Sequence, residues 1–270
     1  MDGLGNDFVI FDNREEVNLL NKSQIIKIAN RKFIGCDQLI FINSSKDFDA
    51  ELDFFNSDGG KASACGNGTR CVAYLISEKK NKKEITMKTS SGILKSKILE
   101  NNTVETNIGT PKFNWNEIPL SKQINNENLG ITISDINGLT LTGGYALSVG
   151  NPHLIFFFLD KKGFHTFDLS KIGPELEKHY MFPERCNVTF AEIINKKLIK
   201  VKVWERGSGL TKACGTAACA TAVAAHKLGL ADKAIDIKFE LGIITITIEQ
   251  DNSIKMKGKV SEIKKINIAI

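Results

Sequence analysis

The stretch Lys212-Ala-Cys-Gly-Thr-Ala-Ala-Cys219 decides the fold, because it places a cysteine between a strand-like run and an alanine-rich helix. A cysteine followed by glycine and a hydroxyl residue at a helix start is well placed to form a reactive thiolate. The free backbone N–H groups and the positive end of the helix dipole stabilise negative charge there. The first half of the chain repeats the pattern as Ala64-Cys-Gly-Asn-Gly-Thr-Arg-Cys71.

The two cysteine stretches belong to a repeat that runs through most of the chain. Cys65 and Cys214 are separated by 214 − 65 = 149 residues. Other matches occur in the same order at nearly the same offset: Gly5-Asn6 with Gly150-Asn151, Cys36 with Cys186, Phe55-Asn56-Ser57 with Trp204-Glu205-Arg206, Gly92 with Gly242, and Gly109 with Gly258. This period is far too long for a solenoid of short repeats. It predicts two copies of one domain facing each other across a cleft.

Each half shows strand patterns around one main helix. The main helices are predicted over Thr69–Glu78 and Ala217–Leu228, and further helices over Ser23–Arg31, capped by Ser23, and from Asp168 or Ser170 to Tyr180. Strands are predicted at Phe8–Asp12, Leu39–Ile42, Leu52–Phe54, Ile85–Lys88, Ile93–Leu99, Val104–Ile108, Val201–Trp204, Ile235–Glu240, Ile243–Glu249 and Ile254–Lys257. The fold class is α+β, with two pseudo-symmetric domains of β-strands around a central helix and an active site in the cleft between them.

The domain boundaries follow from the repeat and from one polar segment. We expect the N-terminal domain to comprise residues 1–111 plus 259–270, and the C-terminal domain to comprise residues 112–258. Pro111–Asn128 is polar and lacks a periodic pattern, so it is the predicted linker. Val260–Ile270 is predicted to be a strand that could return to the first domain.

The composition is that of an ordinary globular protein of 270 residues, with 42% hydrophobic and 25% charged residues. The formal net charge of +5 comes from scattered lysines, so we expect no nucleic-acid partner. The longest apolar run, Leu154–Leu159, is too short to cross a bilayer, so we expect no membrane partner. No signal-peptide pattern is visible, and six cysteines then indicate reduced thiols in the cytoplasm.

Two Cys-Gly helix starts facing one cleft would place a thiol on each side of a bound anion. A carboxylate held there would have its α-carbon between two sulfurs. One cysteine as thiolate would remove the α-proton, and the other as thiol would deliver a proton to the opposite face. The helix ends would stabilise the charge that develops on the carboxylate. This arrangement suits a racemase or epimerase that needs no pyridoxal cofactor, with a lysine Schiff base as the open alternative.

The remaining cysteines and histidines have simpler interpretations. Cysteine usually behaves as a small buried hydrophobe, and we expect that of four of them: Cys36, Cys71, Cys186 and Cys219. The alternative is a structural zinc site made of Cys65, Cys71, Cys214 and Cys219. Its internal spacings of 71 − 65 = 6 and 219 − 214 = 5 exceed those usual for zinc, so we expect no metal. Three histidines are expected to be surface or packing residues: His165, His179 and His226.

Several motifs together resemble those of the diaminopimelate epimerase family. They are Gly3-Leu-Gly-Asn-Asp-Phe8, Phe55-Asn-Ser-Asp-Gly59, Ala64-Cys-Gly-Asn-Gly68, Gly150-Asn-Pro-His153, Glu205-Arg-Gly207 and Ala213-Cys-Gly-Thr216. The resemblance covers nearly the whole chain in the family's order and spacing. It implies cofactor-free interconversion of LL- and meso-diaminopimelate, in lysine and peptidoglycan precursor synthesis, by a homodimer with a small-molecule substrate.

The resemblance also implies roles for individual residues. Cys65 and Cys214 would be the proton donor and acceptor, with the reacting carboxylate held by the backbone around Gly66-Asn67 and Gly215-Thr216. Other positions match substrate-binding residues: Asn6, Gln38, Asn56, Asn151, Asn187, Glu205 and Arg206. The far end of the substrate is itself an amino acid, whose ammonium calls for Glu205 and whose carboxylate calls for Arg206. His153 matches a position that supports catalysis, as does Glu205.

The chain departs from the family pattern at three places: Gly60-Lys61, Gly209-Leu210-Thr211 and Ala217. None of these removes a proposed acid, base or substrate anchor. Two alternatives stay open at this point. A proline or hydroxyproline racemase would share the fold and the two cysteines, but would have little use for Glu205 and Arg206. A non-catalytic, zinc-stabilised binding module would show stoichiometric zinc in the purified protein.

Overall fold

The computed structural model describes residues 1–15, 19–62, 65–135, 138–159 and 161–268. The chain divides into two compact units. The first comprises Met1–Ile108 and Lys257–Ile270, and the second comprises Gly109–Met256. Each unit contains a mixed β-sheet and one main helix that begins at a cysteine. The predicted α+β class with two similar halves is confirmed.

The first unit is a sheet with two helices. Its strands are β1 (Asp2–Gly3), β2 (Asn6–Asp12), β3 (Gln38–Asn43), β4 (Ala50–Asn56), β5 (Lys61–Ala62), β6 (Glu84–Thr89), β7 (Gly92–Ile98) and β8 (Thr103–Gly109), and its helices are α1 (Lys22–Ala29) and α2 (Gly66–Lys80). The order in the sheet is β1-β2-β3-β4-β6-β7-β8, and β5 pairs with β4. β2 and β3 are parallel, whereas β3 and β4 are antiparallel.

The second unit repeats this arrangement. Its strands are β9 (Ile131–Ser134), β10 (Thr140–Gly143), β11 (Tyr145–Ser148), β12 (Pro152–Phe158), β13 (Asn187–Asn195), β14 (Leu198–Glu205), β15 (Gly209–Thr211), β16 (Ala234–Phe239), β17 (Gly242–Ile248) and the first half of β18 (Ile254–Lys259), and its helices are α3 (Lys161–Thr166), α4 (Leu169–Glu177) and α5 (Gly215–Lys227). The sheet order is β18-β17-β16-β14-β13-β12-β11, with β15 on β14, and β9 and β10 form a separate hairpin. Here β12 and β13 are parallel, and β13 and β14 are antiparallel.

This shared topology positions the site residues. Parallel strands begin at the same edge of a sheet, and an antiparallel neighbour ends there. β2 and β3 therefore begin, and β4 ends, at one edge of the first sheet. β12 and β13 begin, and β14 ends, at the equivalent edge of the second. The main helix of each unit begins shortly after β4 or β14.

The main helices are buried to different extents, as their sequences indicate. α2 places an apolar face with Val72 and Ile76 on the first core. α5 is buried from Ala217 through Ala225, and its small side chains allow the helix to approach the sheet closely. The second core is rich in phenylalanine rings: Phe156, Phe158, Phe164 and Phe190.

The predicted cap of α1 is wrong. The helix begins at Lys22, and its N-cap is Asn21 rather than Ser23. Asn21 Oδ1 accepts a hydrogen bond from the Gln24 backbone N–H at 3.0 Å, and Gln24 Oε1 accepts one from the Asn21 N–H at 2.9 Å. This reciprocal capping box satisfies two backbone donors, which a cap at Ser23 would not achieve.

The predicted strand at Val260–Ile270 is also wrong over residues 260–268, and residues 269–270 lie outside the described chain. The backbone N–H groups of Val260 and Ser261 donate to the backbone carbonyls of Asn102 and Asp2, both at 2.9 Å, and no ladder of hydrogen bonds follows.

The predicted linker at 111–128 contains no helix or strand, but part of it packs against the second unit. Ile118 and Leu120 are buried in the second core.

Within the described residues, no helix is long and apolar enough to cross a membrane.

Candidate active site

Cys65 lies at the start of the main helix of the first unit. It is the N-cap of α2, with extended backbone torsions of φ −141° and ψ 113°. The Gly68 backbone N–H donates to Cys65 Sγ at 3.5 Å, so one free N–H of the first turn points at the sulfur. The preceding residue of the predicted motif, Ala64, lies outside the described residues.

Two asparagine amides connect this thiol to the sheet edge. Cys65 Sγ lies 3.6 Å from Asn6 Oδ1, and Asn67 Nδ2 donates to the same oxygen at 3.5 Å. Asn6 Nδ2 donates to Asp37 Oδ2 at 2.9 Å. The structure therefore brings together the predicted residues Asn6, Cys65 and Asn67, and adds Asp37 to them.

A second amide pair lies at the same edge of this sheet. In the antiparallel register Gln38 is directly opposite Asn56, and Gln38 Nε2 donates to Asn56 Oδ1 at 2.8 Å. Gln38 Oε1 is buried and has no hydrogen-bond partner among the described residues. An unpaired buried acceptor costs free energy, and a ligand N–H would satisfy it.

Cys214 occupies the equivalent place in the second unit. It is the N-cap of α5, with φ −138° and ψ 117°, nearly the same torsions as Cys65. Its Sγ lies 3.4 Å from Thr216 Oγ1, and the residue is 5% exposed. Burial raises the pKa of the Cys214 thiol well above its ordinary value, and the negative charge of Glu205 raises it further. Cys214 is therefore held as a neutral thiol.

A histidine and an asparagine support this helix start from the sheet. Asn151 Nδ2 donates to Thr216 Oγ1 at 3.4 Å, and His153 Nε2 lies 2.9 Å from Asn151 Oδ1. Burial lowers the pKa of His153 to about 3, and the charge of Arg206 is a lesser cause. The ring is therefore neutral. Because an amide oxygen can only accept, Nε2 carries the proton and Nδ1 has the lone pair.

Asn187 holds the backbone of Arg206 in place. The parallel register sets Asn187 beside His153, and its Nδ2 donates to the Pro152 carbonyl at 3.1 Å. Asn187 Oδ1 accepts from the Arg206 backbone N–H at 3.0 Å. The Arg206 guanidinium is exposed and donates to the Glu184 carbonyl at 3.0 Å. Asn187 is thus a support for Arg206.

The sequence patterns did not point to three residues that contact the predicted site residues or their loops: Asp37, Arg70 and Glu177. Arg70 is fully buried, and its Nη2 donates to Asn67 Oδ1 at 2.8 Å. A charged residue on the apolar face of α2, next to Cys71, is the signal that could have identified it. Asp37 follows Cys36 in the repeat and could have been found there. Glu177 lies at the end of α4, where a carboxylate usually faces solvent.

All six cysteines are free thiols. The four that were predicted to be core residues, Cys36, Cys71, Cys186 and Cys219, are buried. Burial raises the pKa of Cys36 to about 11 and that of Cys71 to about 12, so both are unreactive. Within the described ranges, no group of three or more His, Cys, Asp or Glu side chains is placed to hold a metal ion.

Two solved structures share this fold. A phenazine biosynthesis PhzC/PhzF protein from Clostridium difficile superposes with a TM-score of 0.68 at 16% identity, covering 100% of this chain and 97% of that one. A probable proline racemase from Agrobacterium radiobacter gives a TM-score of 0.66 at 12% identity, covering 96% and 88%. Identities this low establish the fold alone.

Sequence comparison identifies the family. The family model for diaminopimelate epimerase matches residues 1–114 and 145–263. A protein from Pelagibacter ubique named diaminopimelate epimerase is 62% identical over 270 residues, covering 100% of this chain and 97% of the relative. The resemblance seen in the motifs is confirmed, and the chain belongs to the diaminopimelate epimerase family of isomerases.

Proposed function

We propose that this protein interconverts LL-2,6-diaminopimelate and meso-diaminopimelate by two-base proton transfer at the α-carbon, without a cofactor. The substrate follows from family membership. One observation carries the mechanism: Cys65 and Cys214 are N-caps with nearly identical backbone torsions, each at the start of the main helix of its unit. Two equivalent thiols supply the acid and base that a symmetric reaction needs.

The two thiols have different surroundings, and this difference is the basis for assigning one as the base and the other as the acid. Burial and the Glu205 charge keep Cys214 protonated, so Cys214 is the proton donor of the resting enzyme. Cys65 is half-buried and receives the Gly68 N–H, a contact that strengthens when the acceptor is a thiolate. We assign Cys65 as the base that removes the α-proton, and Cys214 as the acid that protonates the opposite face.

The helix starts provide the site for the reacting carboxylate. The first backbone N–H groups of a helix have no partner within it and favour an anion. We propose that the backbone around Gly66-Asn67 and Gly215-Thr216 holds this group and stabilises charge on it as the carbanion forms. No metal or cofactor is needed for that step, because the donors belong to the chain.

Polar side chains at the two sheet edges are suited to the remaining groups of the substrate. The buried Gln38 Oε1 offers an acceptor to an ammonium near the reacting carbon, as do the oxygens of Asn6 and Asn56. The exposed guanidinium of Arg206 can form a two-point contact with the far carboxylate. Glu205 has two roles in this proposal: it raises the pKa of Cys214 and offers a carboxylate to a substrate ammonium.

We further propose that Asn151 and Asn187 help to grip the substrate, and that His153 supports catalysis through Asn151. The two compact units would be the N-terminal and C-terminal epimerase domains, with boundaries at 1–111 plus 259–270 and at 112–258. We place the enzyme in the cytoplasm, as a homodimer, in the synthesis of lysine and peptidoglycan precursors. These assignments follow what the family resemblance implies.

The test uses reduced protein and LL-diaminopimelate in deuterated water, with no cofactor added. NMR should show the meso isomer with deuterium at the α-carbon. Cys65→Ala and Cys214→Ala should each abolish conversion, whereas Cys36→Ala, which removes a buried thiol elsewhere, should retain it. Near-normal turnover in either active-site variant would reject the two-base mechanism. Turnover of proline in place of diaminopimelate would reject the substrate and leave the two thiols in their roles.

A further inference from the structure

Glu177 is a buried carboxylate that contacts the loop carrying Glu205 and Arg206. It is the last residue of α4, and it is 5% exposed. Its Oε2 accepts from the indole Nε1–H of Trp204 at 2.7 Å, and its Oε1 accepts from the backbone N–H of Gly207 at 3.1 Å. The two donors are the residues immediately before Glu205 and immediately after Arg206.

Other contacts hold the carboxylate and this loop in one geometry. The Arg185 guanidinium lies 3.6 Å from Glu177 Oε1. Gly173, one turn earlier in α4, packs so closely on Trp204 that an added Cβ would lie 2.6 Å from the indole ring. The indole therefore has little freedom to move away from its hydrogen bond. Gly207 has φ +76°, so the turn itself requires a glycine.

A carboxylate is the group that this position requires. Both of its oxygens accept hydrogen bonds and neither donates, so it can receive two N–H groups at once. A glutamine of the same shape could accept only one of them, and its NH₂ would face the other donor. Burial prevents water from replacing the lost contact.

We propose that Glu177 is a positioning residue for the substrate-binding pair Glu205 and Arg206, an inference that rests on the proposed function. Its carboxylate oxygens are directed at Trp204 and Gly207, so we assign it no direct contact with the substrate. By fixing the residues on both sides of the pair, it sets the place from which the Arg206 guanidinium meets the far carboxylate. Without these contacts the Arg206 guanidinium would sample many positions. It would then bind the far carboxylate more weakly, because ordering the side chain on binding costs free energy.

The first experiment compares Glu177→Gln with Glu175→Gln, which makes the same charge change at an exposed position of α4. For Glu177→Gln we expect KM for diaminopimelate to rise about tenfold, the effect of one lost buried hydrogen bond, with kcat within about threefold of the parent. Glu175→Gln should match the parent in both constants. An unchanged KM with kcat lowered in proportion to the folded fraction would overturn the proposal, since it would mean that Glu177 only stabilises the fold.

The second experiment measures the contact between Glu177 and Trp204 without an activity assay. The chain has two tryptophans, Trp115 and Trp204, so Trp115→Phe leaves one indole N–H signal in the NMR spectrum. In this background the Trp204 indole should exchange with solvent slowly, and Glu177→Leu, which removes both acceptor oxygens, should accelerate exchange about tenfold. Equal exchange rates in the two proteins would overturn the proposal. If the unsubstituted protein fails to epimerise diaminopimelate, the proposed function fails, and this measurement alone decides whether Glu177 holds the loop.

Discussion

The guanidinium of Arg70 donates a hydrogen bond to Asn67 Oδ1 at 2.8 Å, and both side chains are buried. A guanidinium has only donors, so Asn67 must turn its NH₂ the other way, toward Asn6 Oδ1. The Asp37 carboxylate, which only accepts, receives Asn6 Nδ2 at 2.9 Å. The Arg70 cation thus fixes the orientation of the Asn67 amide, and the Asp37 anion fixes that of the Asn6 amide. As a result, the amide oxygen of Asn6 lies next to the Cys65 sulfur.

This arrangement predicts the effect of Asn67→Asp. The new carboxylate would pair with Arg70, but its second oxygen would face Asn6 Oδ1, where two acceptors repel each other. Its negative charge would also lie at the start of α2, where we expect the substrate carboxylate to bind. We expect kcat/KM to fall at least tenfold, while the melting temperature changes little, because the ion pair with Arg70 offsets the repulsion at Asn6. Steady-state kinetics and thermal unfolding measure the two effects, and parent-like kinetics would contradict the prediction.

The sequence allowed the repeated fold and the two cysteine helix starts to be predicted, because both depend on local chemistry. A cysteine before glycine at a strand-to-helix junction places a sulfur at free N–H groups, whatever the rest of the chain does. The fold and the family are confirmed. The roles of the individual site residues stay predictions, although the structure places Asn6 and Cys65 in contact, and Asn151 with Thr216.

The errors and omissions concern features that depend on tertiary partners. Asn21 and Ser23 are both good helix caps, and the capping box with Gln24 decided between them. Residues 260–268 include four apolar side chains but gain no ladder of backbone hydrogen bonds, and without one a strand does not form. Glu177 resembles a surface residue in the sequence. Its burial depends on a tryptophan that is 27 residues away along the chain.

The charge of Glu205 predicts how Cys214 reacts with pH. Burial is the larger cause of the raised pKa of this thiol, and the carboxylate adds to it. Glu205→Gln removes the charge, so the pKa of Cys214 should fall toward its ordinary value. The rate of iodoacetamide alkylation at Cys214, followed by mass spectrometry, should then begin to rise at a lower pH than in the parent. Glu175→Gln is the control, and a profile that is unchanged or shifted to higher pH would contradict the assignment.

Gly68 allows α2 to lie close to the sheet, which leads to a packing prediction. A Cβ at this position would lie 2.6 Å from Ile40 Cδ1, and 3.2 and 3.3 Å from the rings of Phe54 and Phe8. In Gly68→Ala the crowding costs about 1–3 kcal/mol, more than the gain of up to about 1 kcal/mol in helix propensity. We expect a lower free energy of unfolding, measured with urea. Because the Gly68 N–H contacts Cys65, we also expect a lower kcat.

The control for this substitution is Gly143→Ala, where an added Cβ has open space around it. That variant should unfold at the same urea concentration as the parent and keep its kcat. Equal stability of Gly68→Ala and the parent would show that Ile40 and its neighbours can shift without cost, and it would contradict the close packing proposed for this helix start.

His153 should make the stability of the fold depend on pH. Burial lowers its pKa to about 3, from an ordinary value of 6.5. The unfolded chain therefore takes up a proton below about pH 6.5, whereas the folded one does not. The contribution of this ring to the free energy of unfolding is fully present above that pH, and it should fall by about 1.4 kcal/mol for each unit of pH between about 6.5 and 3. His153→Gln, which cannot be protonated, should show a shallower slope of the free energy of unfolding against pH, measured with urea from pH 6.5 to 4.5.

The control is His165→Gln, a change at an exposed histidine, which should keep the slope of the parent. Equal slopes in the parent and His153→Gln would mean that the folded protein accepts a proton on this ring.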